Sequence, residues 1–213
     1  LNLDPSLISQ DYPNMYWAYG QKILAAARAI GATDNLYPIY ITNFGCGPDS
    51  FISKYFAEEM GRPFLELQID EHSAEAGIIT RLEAFLDSIQ NRTIVQEEIS
   101  KGFSFPVLKD DQRTIYIPYM DDHSYALKAA LEAMGKKAEV MPVSDLESLR
   151  EGQKYTTGRE CYPCILTTGD MVKVLNKNGH KTNKIAFFMG TAQGPCRFGQ
   201  YQKFQQLQVL KRL

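Results

Sequence analysis

The strongest constraint on the fold is a repeated alternation of short apolar stretches with stretches of helical period. In the first half of the chain, apolar stretches at 36–42 and 63–69 alternate with helical patterns at 48–60 and 73–89. The connections between them are only a few residues long, as in strand–helix units with parallel strands. The sequence therefore predicts an α/β fold built on a parallel sheet.

The same alternation starts again after a charged stretch that has no sustained period and contains Gly102 and Pro106. The predicted elements of this second half are strands at 114–118, 138–141 and 184–189, with helices at 123–134, 144–149 and about 164–178. We therefore expect two α/β lobes, at 1–92 and 113–213, joined by a linker at 93–112.

Two helix starts are predicted from local patterns. Residues 10–30 are amphipathic at helical spacing, and Gly31 supplies a stop signal, so we expect one long helix there. Ser144 stands three residues before Glu147, which is the pattern of a capping box, so we expect Ser144 to be the N-cap of a short helix.

Charge and hydropathy exclude several classes of function. A formal net charge of −2 provides no global basic field for binding nucleic acid. No apolar run approaches the roughly 20 residues that a membrane span needs. Residues 1–10 lack the features of a secretory signal, so we expect a cytoplasmic protein. The chain lacks an initiator Met and stops inside an apparent helix, so we expect it to be a piece of a longer protein.

The cysteines are the best candidates for chemistry. There are four of them, Cys46, Cys161, Cys164 and Cys196. An even count is compatible with two disulfides, but a chain of this size without a secretory signal favours metal binding or redox chemistry. Each cysteine loop contains Gly or Pro and leads into a helical stretch, where the helix dipole favours the thiolate. We therefore expect a thiolate site.

The spacing of the cysteines bears on which metal they would hold. Structural zinc sites usually use two close pairs of ligands, whereas this chain has a single Cys-x-x-Cys and two isolated cysteines. An iron–sulfur cluster needs only that four thiolates meet at one place. The alternatives are a zinc site, a dithiol redox site made by Cys161 and Cys164, and a structural or docking domain whose thiols bind no metal.

At these cysteine loops the sequence resembles a known family. The stretches that carry the resemblance are DYPNMYW (11–17), NFGCGPDSF (43–51), GRECYPC (158–164) and GPCRFGQY (194–201). They are similar to the acyl-CoA dehydratase activase-related proteins, also called CoA-substrate-specific enzyme activases. These proteins are related to the 2-hydroxyacyl-CoA dehydratases and double-cubane-cluster reductases of anaerobes. The resemblance covers nearly the whole chain.

The resemblance implies Rossmann-like half-domains and an oxygen-sensitive iron–sulfur cluster, which aerobic purification would remove. An ATP-hydrolysing activator module or subunit would deliver a low-potential electron to it, and an acyl-CoA would be the substrate of the complete enzyme system. The chain would be a fragment of that system and not an enzyme complete by itself. The ligands carried over are Cys46, Cys161, Cys164 and Cys196. On this reading, backbone N–H groups of Gly45, Gly47 and Gly194 would bond the cluster sulfurs, and Arg159 and Arg197 would offset its charge.

Overall fold

The computed structural model describes residues 3–90, 112–179 and 182–211. The chain divides into two compact units, Leu1–Gly102 and Phe103–Leu213. Almost all of the predicted linker at 93–112 lies outside the described residues.

The first unit is a small parallel sheet with helices. After a 3-10 helix at Pro5–Ile8, its elements are α1 (Ala18–Gly31), β1 (Ile39–Thr42), α2 (Asp49–Met60), β2 (Leu65–Gln68) and α3 (Glu75–Gln90). Strands β1 and β2 pair in parallel with Ile39 opposite Leu65. The predicted strands and helices from 36 to 89 are therefore confirmed, with no end shifted by more than three residues.

The expectation of one helix over 10–30 is wrong at its beginning. Helix α1 starts at Ala18, and the residues before it form turns, such as the one closed by the Met15 amide donating to the Tyr12 carbonyl at 3.0 Å. Pro13 disfavours helical backbone at the residue before it, which explains the break. Tyr12 and Met15 continue the apolar pattern of the helix because their side chains are buried, although both residues lie before the helix.

The two faces of the first sheet differ in how well they are covered. Tyr40 points to the face on which α2 packs, with its ring 5.0 Å from that of Phe56. On the other face Leu65 and Leu67 are buried, whereas Ile39 and Ile41 of β1 are 47% and 65% exposed. Within the described residues, β1 pairs with β2 alone.

The second unit is a three-stranded parallel sheet with a longer set of helices. Its elements are β3 (Thr114–Ile117), α4 (His123–Ala133), β4 (Lys137–Val140), α5 (Leu146–Gln153), α6 (Tyr162–Lys177), β5 (Ile185–Phe187) and α7 (Tyr201–Gln205). A 3-10 helix at Arg197–Gln200 precedes α7, and a π-helical turn at Gln206–Leu210 follows it. The strand order is β4–β3–β5, so the first strand of the unit is central. The fold of the described residues is thus α/β with parallel strands, as predicted.

Helices α5 and α6 approach each other through their backbones. A Cβ atom placed on Gly169 would lie 1.7 Å from the carbonyl oxygen of Ser148, and one on Gly152 would lie 2.0 Å from that of Ile165. Atoms this close overlap, so both positions require glycine. Helix α6 therefore packs its apolar side chains into the core, and at Gly169 its backbone lies directly against α5.

A buried carboxylate joins the same two helices. Asp170 of α6 accepts a hydrogen bond from the Ser144 hydroxyl at 2.6 Å and another from the Ser148 hydroxyl. The predicted capping role of Ser144 is wrong, because the N-cap is Asp145 and its capping box partner is Ser148. Ser144 instead uses its hydroxyl to satisfy the buried Asp170, which is 5% exposed.

None of the helices in the described parts of the chain has both the length and the apolar character needed to cross a bilayer.

Candidate thiol site

The Cys-x-x-Cys pair is built into the start of α6. Cys161 is the N-cap residue, Pro163 falls in the first turn, and the Cys164 amide donates to the Cys161 carbonyl at 2.8 Å. Proline suits the first helical turn because its missing N–H has no partner there in any case. The two thiols therefore differ in setting: Cys161 is partly exposed and Cys164 is fully buried.

Cys196 lies at a second helix start of the same unit. It follows β5 and is the N-cap of the 3-10 helix at Arg197–Gln200. Its side chain is exposed. The ring of Phe198 packs edge-on against that of Tyr201 at 5.2 Å, which fixes the turn that carries Cys196 relative to α7.

The three cysteines of the second unit all influence the ionisation of Tyr201. The Tyr201 hydroxyl hydrogen-bonds to Cys161, and Cys164 and Cys196 also lie near enough to act on it electrostatically. Burial, followed by these contacts, raises the pKa of Tyr201 above its usual value. Cysteines from two loops, separated by more than 30 residues in sequence, therefore lie within electrostatic reach of one tyrosine.

Several neighbouring groups act on the pKa of the Cys164 thiol. Burial raises the pKa of its thiol, and the nearby Glu160 carboxylate raises it further, whereas a hydrogen bond from Thr168 and the charge of Arg197 lower it. The expectation that a helix start lowers the pKa is therefore wrong for Cys164. Desolvation of the thiolate outweighs the helix dipole at this depth.

A short hydrogen-bond relay links Cys164 to Gln205 of α7. The Gln205 side-chain amide donates to the hydroxyl of Thr168 at 3.4 Å, and Thr168 in turn bonds Cys164. The same amide donates to Thr167 at 3.0 Å. All three side chains are at least nine-tenths buried, so the relay ties the last helix of the unit to the thiol pair.

The two predicted arginines lie beside this site. Arg159 is half-buried, and its carbonyl accepts a weak hydrogen bond from Arg197 at 3.4 Å. Between Arg159 and Cys161, the buried Glu160 carboxylate accepts from the Thr157 amide at 2.9 Å. The loop before α6 is thus held by Glu160, and the guanidinium of Arg197 acts on Cys164.

Cys46 belongs to the first unit and is exposed. Its loop has left-handed backbone at Phe44, Gly45 and Gly47, with φ values of 57°, 59° and 61°. Such values are strained for Phe44 and easy for glycine, which explains Gly45 and Gly47 without a ligand. Gly194, in the Cys196 loop, also has positive φ, at 146°.

The Cys46 loop is anchored to β1 through the first residue of α2. The Asp49 carboxylate accepts from the Tyr40 hydroxyl at 3.0 Å and from the Thr42 hydroxyl at 2.6 Å. Burial and the Asp49 charge raise the pKa of Tyr40. These two strand residues therefore position the loop at the carboxyl end of β1, where α/β sheets bind ligands.

Among the described residues, no three His, Cys, Asp or Glu side chains form a group at metal-ligand spacing. The chain matches no protein-family model, and no curated protein and no solved structure is significantly similar to it.

Three residues of the site, Glu160, Thr168 and Tyr201, were not predicted from the sequence. Thr168 could have been, because a side chain four residues after Cys164 lies on the same helix face. Glu160 and Tyr201 could not, because their positions depend on how the loop and the last helix pack. Tyr201 does stand five residues after Cys196, within the stretch that carries the family resemblance.

Proposed function

We propose that the second unit holds an iron–sulfur cluster through Cys161, Cys164 and Cys196. The observation that supports this most directly is that all three cysteines lie within electrostatic reach of the same tyrosine, Tyr201. Cysteine thiolates are the ligands that iron–sulfur clusters use, so the chemistry of the donor set fits. Cys46 lies in the first unit, and its role as a further ligand remains a prediction.

The spacing of the sulfur atoms sets a condition on this proposal. Since no described group of three ligating side chains lies at metal-ligand spacing, cluster binding requires the cysteine side chains to draw closer together. The thiol of Cys164 must also lose its proton against a raised pKa. A metal supplies the charge that overcomes this, because a coordinating thiol is deprotonated outright.

The residues around the thiols have separate tasks in this proposal. Arg197 would offset the negative charge of the cluster, as its effect on Cys164 already indicates, and Arg159 would assist. Backbone N–H groups of Gly45, Gly47 and Gly194 are proposed donors to sulfur. When bound, the cluster would supply one-electron transfer, and burial and hydrogen bonding would tune its potential.

The wider role follows from the family resemblance. We propose that the chain is part of a cytoplasmic 2-hydroxyacyl-CoA dehydratase or activase system with two Rossmann-like half-domains. An ATP-hydrolysing activator would reduce its cluster, and acyl-CoA would be the substrate of the assembled system.

Anaerobic reconstitution of the full chain with iron and sulfide tests the metal site. We expect bound iron and sulfide in equal amounts, visible absorption that bleaches on reduction, and an EPR signal in the reduced protein. Cys161→Ser, Cys164→Ser and Cys196→Ser should each lower the iron content, and Cys46→Ser tests the fourth ligand. Zinc bound in place of iron, or iron content unaffected by all of these variants, would refute the proposal.

A dithiol redox site is the second candidate, favoured by the contrast between Cys161 and Cys164. A partly exposed thiol at a helix N-cap followed by a buried thiol of raised pKa suits an attacking and a resolving cysteine. The observation to make is whether glutathione redox buffers convert this pair reversibly to a disulfide. A chain that binds no metal and forms no such disulfide would fit a docking domain instead.

A further inference from the structure

Two glutamine side chains of the last helical segment are buried with part of their hydrogen-bonding capacity unused. Gln205 is the last residue of α7 and Gln208 lies in the π-helical turn that follows, and each is 1% exposed. Among the described residues, neither the Gln205 Oε1 atom nor the Gln208 Nε2 atom has a hydrogen-bond partner. Buried polar atoms in folded proteins are nearly always paired, because an unpaired one has given up its bond to water without replacement.

The orientation of the Gln205 amide is fixed by a neighbour on α6. The Thr167 hydroxyl donates to the Pro163 carbonyl at 2.8 Å, so its oxygen is left to accept the bond from Gln205 at 3.0 Å. Only the nitrogen of the Gln205 amide can donate that bond, and its Oε1 atom therefore points elsewhere. The interior of the unit thus contains an acceptor on Gln205 and a donor on Gln208 that the surrounding side chains do not satisfy.

The helix departs from regular bonding at the same place. Gln206–Leu210 form a π-helical turn, after which the Lys211 amide donates at 3.1 Å to the Gln206 carbonyl, five residues before it. Such departures are frequent at functional sites and where a side chain or a water molecule is accommodated. Side chains three residues apart lie close together on a helix, so a single small molecule can bond both amides.

We infer that the second unit binds one water molecule in its interior, which donates to Gln205 and accepts from Gln208. Water fits because it donates and accepts at once and because both amides are neutral. An ion would be costly to desolvate here, since the flanking Phe204, Leu207 and Val209 are buried and apolar. The water site is independent of what the thiols bind, so failure of the proposed function would leave it standing, and the reverse also holds.

Contacts between water and the side-chain amides test this inference by NMR in the full chain labelled with ¹⁵N-glutamine. Gln208→Met assigns the Gln208 signals. A water molecule held inside the protein gives NOE and ROE cross-peaks of opposite sign to the Gln208 amide protons, whereas exchange with solvent gives the same sign. We expect the opposite signs, and absence of such cross-peaks would overturn the inference. Gln205→Met should abolish them, because a buried water needs at least two polar partners, and their persistence would overturn the bridging role.

The stability of Gln208→Met gives a second test with two opposite outcomes. Methionine has a similar length and helix propensity but no N–H group. Loss of a bond to water should raise the ratio of unfolded to folded protein at a fixed urea concentration about fivefold. A ratio that falls, or that equals the ratio of Gln202→Met, the exposed control on α7, would show that the amide has no partner and would overturn the inference. If Gln208→Met does not fold, the cross-peaks of the wild type decide.

Discussion

The two units place their cysteines in contrasting ways. In the first unit, Cys46 stands by itself in an exposed loop at the carboxyl end of β1, anchored through Asp49. In the second unit, the loop after the first strand carries no cysteine, and the thiols come instead from the starts of α6 and of the last helical segment. Parallel strand topology alone therefore does not gather thiols. In the second unit, both helix starts instead place their cysteines within electrostatic reach of Tyr201.

The units also differ in how their helices pack. Helices α1 and α2 are linked by side chains, with Arg28 donating to Glu59 at 2.7 Å and to Asp11 at 2.8 Å. Helices α5 and α6 are linked by backbone contact at two glycines and by the buried Asp170. Helices α1 and α2 also come close at one glycine, but less tightly: a Cβ on Gly31 would lie 3.0 Å from the Glu59 carbonyl oxygen, whereas one on Gly169 would overlap the Ser148 carbonyl at 1.7 Å.

Thiol reactivity should show the largest contrast. Cys46 and Cys196 are exposed, whereas Cys164 is fully buried and needs local opening before it can react. An opening free energy of about 4 kcal/mol slows alkylation by roughly a thousandfold. Iodoacetamide labelling followed by peptide mass spectrometry should give the order Cys46 and Cys196, then Cys161, then Cys164. Equal rates for Cys46 and Cys164 would contradict the described burial.

Gly169→Ala should strongly destabilise the second unit. Because the added methyl would overlap the Ser148 carbonyl, the two helices must separate, and we expect a loss of ~3 kcal/mol or more. The measurement is hydrogen exchange in peptides from α5 and α6. Gly77→Ala is the matched control, since a Cβ there meets nothing within 4 Å, and helix propensity predicts a gain of up to ~1 kcal/mol. Similar behaviour of the two variants would disprove the close approach.

Arg28→Met should weaken the first unit by a smaller amount. The variant removes the bonds to Glu59 and Asp11, and because Arg28 is about one-third exposed we expect a loss of ~1–2 kcal/mol. Urea unfolding followed by the fluorescence of Trp17, the single tryptophan, reports on this unit. Lys128→Met, which breaks an exposed pair with Glu132 at 3.6 Å, should change the free energy of unfolding by less than ~0.5 kcal/mol.

The smallest expected effect is an acid sensitivity at the start of α5. The hydrogen bond from Lys173, followed by those from Ser148, holds the pKa of Asp145 below its usual value. The pKa is thus lower in the folded state, so this stabilisation is present above about pH 4 and is lost as the pH falls further. Hydrogen exchange of α5 between pH 5 and pH 2.5 measures it. Lys173→Met should reduce the pH dependence, and an unchanged profile would count against the interaction.

Much of the fold could be predicted from the sequence because the strand and helix periods differ clearly. The stretches around Ile39, Leu65 and Thr114 alternate with helical patterns, and the chain then has few ways to pair its strands. The start of α1 was missed because the hydropathy pattern continues across Pro13, where the helix cannot. The cap of α5 was missed for a different reason. Ser144 was assigned to a local cap, but the buried Asp170 competes for its hydroxyl.

The candidate site was harder to predict from the sequence than the fold. The cysteine loops and their helix starts were predicted from Gly and Pro, and Cys161 and Cys196 are N-cap residues as a result. What the sequence does not encode locally is that cysteines of both loops come within electrostatic reach of Tyr201, because this depends on tertiary packing. The contact of Gly152 and Gly169 is of the same kind, because a helical glycine in a sequence is equally compatible with open solvent, as at Gly77.

The uncovered face of β1 has a consequence for handling the protein. Ile39 and Ile41 present aliphatic surface next to a strand edge that is unpaired within the described residues, and such edges promote association between molecules as concentration rises. A lysine in place of Ile41 would put a charge on this surface without touching Tyr40 or Thr42, which point to the opposite side. Light scattering of Ile41→Lys at high concentration would then reveal a more monodisperse sample, better suited to crystallisation and to the spectroscopy that the thiol site calls for.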